Sequence, residues 1–304
     1  MHDLIIIGGG PAGLSAAIYA SRARLDTILL EQNFVNGGQI VDTYEVDNYP
    51  GLPGISGMEL AQKMQDHAEK LGVETVNATV EGLDLTGPVK KVLTDEGTFE
   101  ARTVIIASGA THRKLGAEGE ERLAGRGVSY CATCDGAFYR GKDVLVMGGG
   151  NVAIEDAIFL ARGCSKVYVV HRRDELRAEK VLQEALFELP NVEMVWNSTL
   201  TSVNGDPKVE SATVTRKTDG ETRTIPVSGV FIAVGITPRS EFARNQIAMD
   251  EGGYIIADET GATSVPGVFA AGDVRDKQLR QVVTAVADGA NAVTSAQRYL
   301  TENR

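Results

Sequence analysis

A short branched apolar strand that runs into glycines and then into a helix occurs twice in this chain, at one internal spacing. Residues 4–7 lead into Gly8-Gly9-Gly10-Pro11-Ala12-Gly13, and Leu14, Ala17, Ile18 and Ala20 continue as an apolar helical face. Residues 144–147 lead into Gly148-Gly149-Gly150-Asn151-Val152-Ala153, with a helix expected to residue 161. Each helix is followed by another strand, at 27–30 and 166–170. In both copies 23 positions separate the first glycine from the strand's end, Gly8 from Glu31 and Gly148 from His171. This context gives a glycine fingerprint meaning. The glycines admit backbone close to a pyrophosphate, and the helix N-terminus offers free N–H groups and the positive end of its dipole.

Each copy returns as an apolar strand closed by glycine, Val104-Ile105-Ile106-Ala107-Ser108-Gly109 and Val230-Phe231-Ile232-Ala233-Val234-Gly235. Stretches 82–100 and 212–226 alternate apolar and polar residues, as antiparallel inserts do. A strand at 265–273 ends in Gly272-Asp273, and a helix follows over 281–300, with no third fingerprint. The expected fold is therefore α/β: two Rossmann-like, three-layer ββα dinucleotide-binding domains, the second inserted into the first. The first domain takes residues 1–112 and 244–304, the second 113–243. A chain of 304 residues that is 43% apolar can fill two such cores.

The two sites differ where a nucleotide's ribose would lie. Glu31 ends the second strand of the first copy and can accept hydrogen bonds from a free ribose. The second copy delivers His171-Arg172-Arg173 there, with Arg177 close behind; arginines suit a 2′-phosphate that a carboxylate would repel. The second site thus reads as an NADPH site.

Between the fingerprints stands Cys131-Ala132-Thr133-Cys134-Asp135-Gly136. The chain has three cysteines, too few for a secreted disulfide framework, and no second ligand pair for zinc; no metal is expected. A lone CxxC in a reducing compartment reads as catalytic. Cys164 reads as a small core residue. NADPH gives up a hydride, which a disulfide cannot readily take. A flavin can accept it and then reduce a disulfide, so FAD is expected in the first site. The net charge of −11 disfavours generic nucleic-acid binding, and the absence of a signal-like or membrane-length apolar run leaves a cytoplasmic protein as the expectation.

These motifs, with Gly37-Gly38-Gln39, Asn48-Tyr49-Pro50-Gly51, Ala271-Gly272-Asp273 and Arg280-Gln281, make the whole chain resemble the low-molecular-weight bacterial thioredoxin reductases, class II pyridine nucleotide-disulfide oxidoreductases. The resemblance implies a homodimer with one FAD per subunit. It places FAD contacts on Gly8, Gly10, Pro11, Ala12, Gly13, Glu31, Gln32, Gly37, Gly38, Gln39, Asn48, Gly109, Gly272, Asp273, Arg280, Gln281 and Val282. It places NADPH on Gly148, Gly150, Asn151, Val152, Ala153, His171, Arg172, Arg173 and Arg177. Asp273 is implied near the ribitol phosphate, and the start of the last helix at the flavin pyrimidine. Cys134 becomes the flavin-side sulfur, Cys131 the thiol that attacks the partner disulfide, and Asp135 the general acid. The second domain is implied to rotate about linkers near 110–113 and 236–241. Arg126 matches a position that meets thioredoxin, whereas Ala137 stands where many members carry an aromatic, which bears on partner preference. The reading that follows is an enzyme passing electrons from NADPH through FAD and the Cys131/Cys134 disulfide to thioredoxin. Its alternatives are a reductase of another small dithiol carrier, glutaredoxin-like or peroxiredoxin-linked, and a flavin redox sensor without turnover.

Overall fold

A computed structural model describes residues 1–43, Val46 and 48–303. It begins with strand β1 (His2–Ile7), helix α1 (Pro11–Arg22) and strand β2 (Thr27–Glu31). Helix α2 (Gly57–Lys70) and strand β3 (Glu74–Asn77) follow, then β4 (Val80–Asp84), β5 (Lys90–Thr94) and the long β6 (Gly97–Ile106). Leu4 and Ile6 pack on one face of β1, Ile5 and Ile7 on the other. Burial on both faces explains the unbroken apolar run.

The chain crosses into a second body through β7 (Ala110–His112). There it forms β8 (Val128–Ser129), the one-turn helix α3 (Ala132–Asp135), β9 (Asp143–Met147), helix α4 (Asn151–Ala161) and β10 (Lys166–Val170). Helix α5 (Lys180–Phe187), β11 (Val192–Val195), β12 (Ser198–Asn204), β13 (Ser211–Arg216), β14 (Thr222–Pro226) and β15 (Gly229–Ile232) complete it. The return runs through β16 (Ile236–Pro238), which pairs with β7, to β17 (Val268–Ala270) and the C-terminal helix α6 (Val282–Glu302).

The duplication extends to strand order. In the first unit β3, β2, β1, β6 and β17 lie side by side, all parallel. In the second, β11, β10, β9 and β15 repeat the order of the first four, and the fifth place goes to β8, which precedes β9 in the chain; all are again parallel. The alternating stretches become antiparallel strands, β4 and β5 against the outer half of β6, and β12–β13–β14 as a sheet of their own. Each parallel sheet thus has helices on one face and an antiparallel layer toward the other, the ββα layering expected.

The contacts divide the chain into a unit of 1–43, 49–111 and 237–304 and a unit centred on 112–236, with which Val46 and Asn48 group. Residues 237–243, assigned from sequence to the inserted domain, lie with the first unit. Arg239 N donates to Gly109 O, Ser108 Oγ donates to Arg239 O, and Ala243 is buried in the first unit's core.

Candidate active site

In the first unit the glycines are demanded by space. Gly8 adopts φ +104°, and a side-chain carbon on Gly13 would stand 1.8 Å from Gly8 O. Gly10 caps α1, whose first residue, Pro11, gives up an N–H that the helix could not use. No acidic residue sits in the first turn to compete with an anion. Ala12, buried behind it, meets Gly272 at the start of the returning segment.

Glu31 is buried, and its carboxylate holds the turn together: Oε2 accepts from Gly9 N at 2.6 Å, and Oε1 accepts from Asn33 N at 2.9 Å and Asn33 Nδ2 at 2.7 Å. Gln32 and Gln39 are exposed, and Gly37 N donates to Gly9 O at 2.7 Å, bringing the Gly37-Gly38 bend against the fingerprint. Asn48 is exposed, and Gly109 takes φ +70° at the exit of the fourth parallel strand.

Three buried polar atoms border this cradle without a protein partner: Asn36 Oδ1, Asp273 Oδ1 and Arg280 Nε. Buried polar groups are normally satisfied, so their convergence fits a polar ligand such as a dinucleotide. Burial raises the Asp273 carboxyl above its ordinary value, while Lys277 and Arg280 pull it down and Asp288 adds to the rise. The Arg280 guanidinium lies 4.2 Å from the Tyr254 ring centre. Gln281 caps α6 through a reciprocal box with Thr284, so Val282 opens that helix. Asn36 and Asp288 escaped the sequence reading. Asp288 accepts from Gly272 N at 2.9 Å, Arg275 Nη1 at 3.1 Å and Lys277 Nζ at 2.7 Å, tying the Gly272–Lys277 stretch to α6.

In the second unit Gly150 caps α4 and has open space where a side chain would stand. Ala153 is buried and takes the place of the third glycine, while Val152 is exposed. Asn151 exchanges hydrogen bonds with Glu179, Nδ2 donating to Oε1 and Oδ1 accepting from Glu179 N. His171 packs on Gly149. Burial, then the nearby Arg177, hold its ring below the ordinary histidine value, and its Nε2 is buried without a partner. Arg177 N donates to Gly149 O at 2.7 Å, folding the arginine segment back over the fingerprint. Arg172, Arg173 and Arg177 are exposed, and among the described residues none of their guanidiniums enters an ion pair, even with Asp174 or Glu175 alongside. A set of cations without counter-ions above a glycine turn suits a phosphate.

The thiol pair sits at the end of β8. Cys131 caps α3, Ala132 plugs the core, and Cys131 and Cys134 are joined, Sγ to Sγ, at 2.03 Å. Burial pushes the Asp135 carboxyl up, and a hydrogen bond from Ser129 partly opposes it. The Tyr139 hydroxyl, half-buried and near Asp135, is pushed up to about 12. A half-buried carboxyl held above its ordinary value can keep a proton to donate. Just before Cys131, Tyr130 donates to Glu120 Oε1 at 2.8 Å and stacks on His112, with ring centres 5.4 Å apart. Glu120 is buried and also accepts from Leu115, Gly116 and Ala117 N. This anchor is set by tertiary contact and left no local signal in the sequence. Cys164 is buried in the helix-side core, and burial pushes its thiol to about 11. Arg126 and Ala137 are exposed.

The pyridine nucleotide-disulphide oxidoreductase family model matches residues 2–289. The chain belongs to this family. Among relatives of this oxidoreductase, the thioredoxin reductases of Listeria monocytogenes and Bacillus subtilis are 48% and 44% identical to it. Both comparisons cover 99% of this chain, and 95% and 96% of the relative. Solved thioredoxin reductase structures from Streptococcus pyogenes (46% identity, TM-score 0.96) and Giardia duodenalis (39%, 0.94) each match over 99% of both chains. Membership in a pyridine nucleotide-disulphide oxidoreductase family implies a flavin and a pyridine nucleotide. Among the described residues no helix is long and apolar enough to cross a membrane.

Proposed function

We propose that the chain is an NADPH-dependent thioredoxin-disulfide reductase. The observation that carries this reading is the Cys131–Cys134 disulfide, placed on the nucleotide-binding unit whose Arg172, Arg173 and Arg177 lack counter-ions. FAD would rest on the first fingerprint, with Glu31, Asn36, Asp273, Arg280 and the start of α6 around it; NADPH would rest on the second, its 2′-phosphate on the arginines. When bound, the flavin converts a hydride into electrons that a disulfide accepts. Cys134 receives them, Asp135 protonates the sulfur released, and Cys131 attacks the disulfide of thioredoxin. The working form is a cytoplasmic homodimer.

An anaerobic titration tests the reading. NADPH should bleach the flavin, and oxidised thioredoxin should restore its colour with one dithiol formed per turnover. A flavin that bleaches but is reoxidised by no protein disulfide would leave a redox sensor instead.

A further inference from the structure

Ser129 belongs to none of the motifs above, yet its hydroxyl meets the Cys131 backbone and lies near Asp135. It is buried at the end of β8, which is clamped to β15 by parallel pairing. Its Oγ accepts from Cys131 N at 3.1 Å and donates to Cys131 O at 3.3 Å. The same carbonyl accepts from Asp135 N at 3.2 Å. The hydroxyl also lies near enough to the Asp135 carboxyl to favour its charged form. A hydroxyl has one hydrogen, so it can donate to the Cys131 carbonyl or to the Asp135 carboxylate, not to both.

We propose that Ser129 is a positioning residue for the dithiol step: its hydroxyl fixes the Cys131 backbone and turns from the Cys131 carbonyl to the Asp135 carboxylate as Asp135 gives up its proton. The inference rests on the disulfide-reductase reading. In that step two electrons from the reduced flavin enter the Cys131–Cys134 bond and break it. One sulfur leaves as a thiol, with the proton of Asp135, and the other remains a thiolate. Asp135 is left as a carboxylate that is largely out of water. A charge-assisted hydrogen bond from a hydroxyl already in place stabilises it at the moment it forms. Tyr139, whose hydroxyl is held protonated, is the titratable neighbour that senses Asp135 from the following turn. Glu155 and Asp156 lie on α4, which packs behind α3, and neither contributes to the Asp135 shift.

The test is carried out on flavin-loaded full-length protein, with the half-reactions separated by stopped flow. Ser129→Ala and Ser129→Val remove the hydroxyl; Ser129→Thr keeps it in the shape of valine, so the Thr/Val pair decides even if the alanine does not fold. Bleaching of the flavin by NADPH should be unchanged in all variants. Electron passage from flavin to the disulfide should slow by about tenfold or more in the Ala and Val variants, stay near wild type in Thr, and leave the KM for thioredoxin within about twofold. In an Asp135→Asn background, Ser129→Ala should slow the step by clearly less than in the wild type, because the charge that it serves no longer forms and only its hold on Cys131 is lost. A Val variant as fast as Thr, or full additivity with Asp135→Asn, overturns the proposal. A wild-type protein whose reduced flavin never passes electrons to the disulfide overturns the underlying reading instead.

Discussion

Asp135 occupies the first turn after the disulfide, where a carboxylate could do no more than cap a short helix. Its environment argues for chemistry. Burial favours the protonated carboxyl, and Asp135→Asn keeps the shape while removing the proton. That variant should stay folded and retain flavin, accept hydride from NADPH at the wild-type rate, and turn over thioredoxin about 10²-fold or more slowly. Unchanged turnover would reduce Asp135 to a cap. The arginines make a separate prediction. Losing charge-assisted phosphate contacts weakens binding by about 1.5–3 kcal/mol each, so Arg172→Ala with Arg173→Ala should raise the KM for NADPH by about a hundredfold or more and leave that for NADH nearly unchanged. Parallel losses with both nucleotides would remove the 2′-phosphate from this site. At this scale the sequence was readable where a residue's role is local. Gly8 and Gly13 must be glycine because of their own turn, and Arg172 follows from its distance to Gly148. Asn36, Ser129 and Asp288 were not readable. Each acts through a neighbour that only the folded chain brings near: the Gly9 turn beside Asn36, the Cys131 backbone and Asp135 around Ser129, and Gly272 for Asp288.

Helix α4 joins the nucleotide turn at Gly150 to the core behind the disulfide, and it carries an unusual load. Asp156 lies half-buried on it, and burial, with Glu155 adding to it, pushes the carboxyl from 3.8 up to about 7. Below about pH 4 folded and unfolded chains both hold that proton. From there to about pH 7 the unfolded chain loses it while the folded chain keeps it, so this group lowers stability as pH rises. Asp156→Asn should therefore raise the melting temperature at pH 8 and leave it almost unchanged at pH 4. An equal rise at both pH values would assign the gain to packing. Elements were legible in proportion to their burial pattern. The buried strands β1, β2, β9 and β10 and the helices behind the glycines stood out. Helix α2 did not, although Ser56 caps it by accepting from Glu59 N, and the Ser-x-x-Glu spacing was available as a start signal. The short α5 buries only Leu186 fully, and so it carried almost no apolar stripe.

Over the whole molecule the layout was readable because it is said twice. Two fingerprints, two returning strands and two antiparallel inserts yield the same order for four parallel strands in both units. The second crossing was harder to place. Residues 237–243 have no periodicity of their own and are held by backbone contacts to Gly109 and Ser108, which no local pattern announces. Apart from Val46 and Asn48, the second unit is one segment, 112–236, with cores on both faces of its own sheet. Residues 112–236 expressed alone should unfold cooperatively and bind adenosine 2′,5′-bisphosphate, and should not hold FAD. A fragment without cooperative unfolding would show that the unit depends on the rest of the chain.

The pairing of β17 with β6 has a consequence for synthesis. Val268–Ala270 closes the open edge of Val104–Ile106, and the whole inserted unit is translated between them. A nascent chain therefore exposes the apolar edge of its first sheet while the later unit, complete in one stretch, can already fold at the ribosome. The body that begins the chain is the last to finish. The proposed cradle, which includes Asp273, Arg280 and the start of α6, is complete only after the inserted unit has been translated. Until then, the unpaired edge of β6 is the place where a growing chain is open to mispairing or to a chaperone.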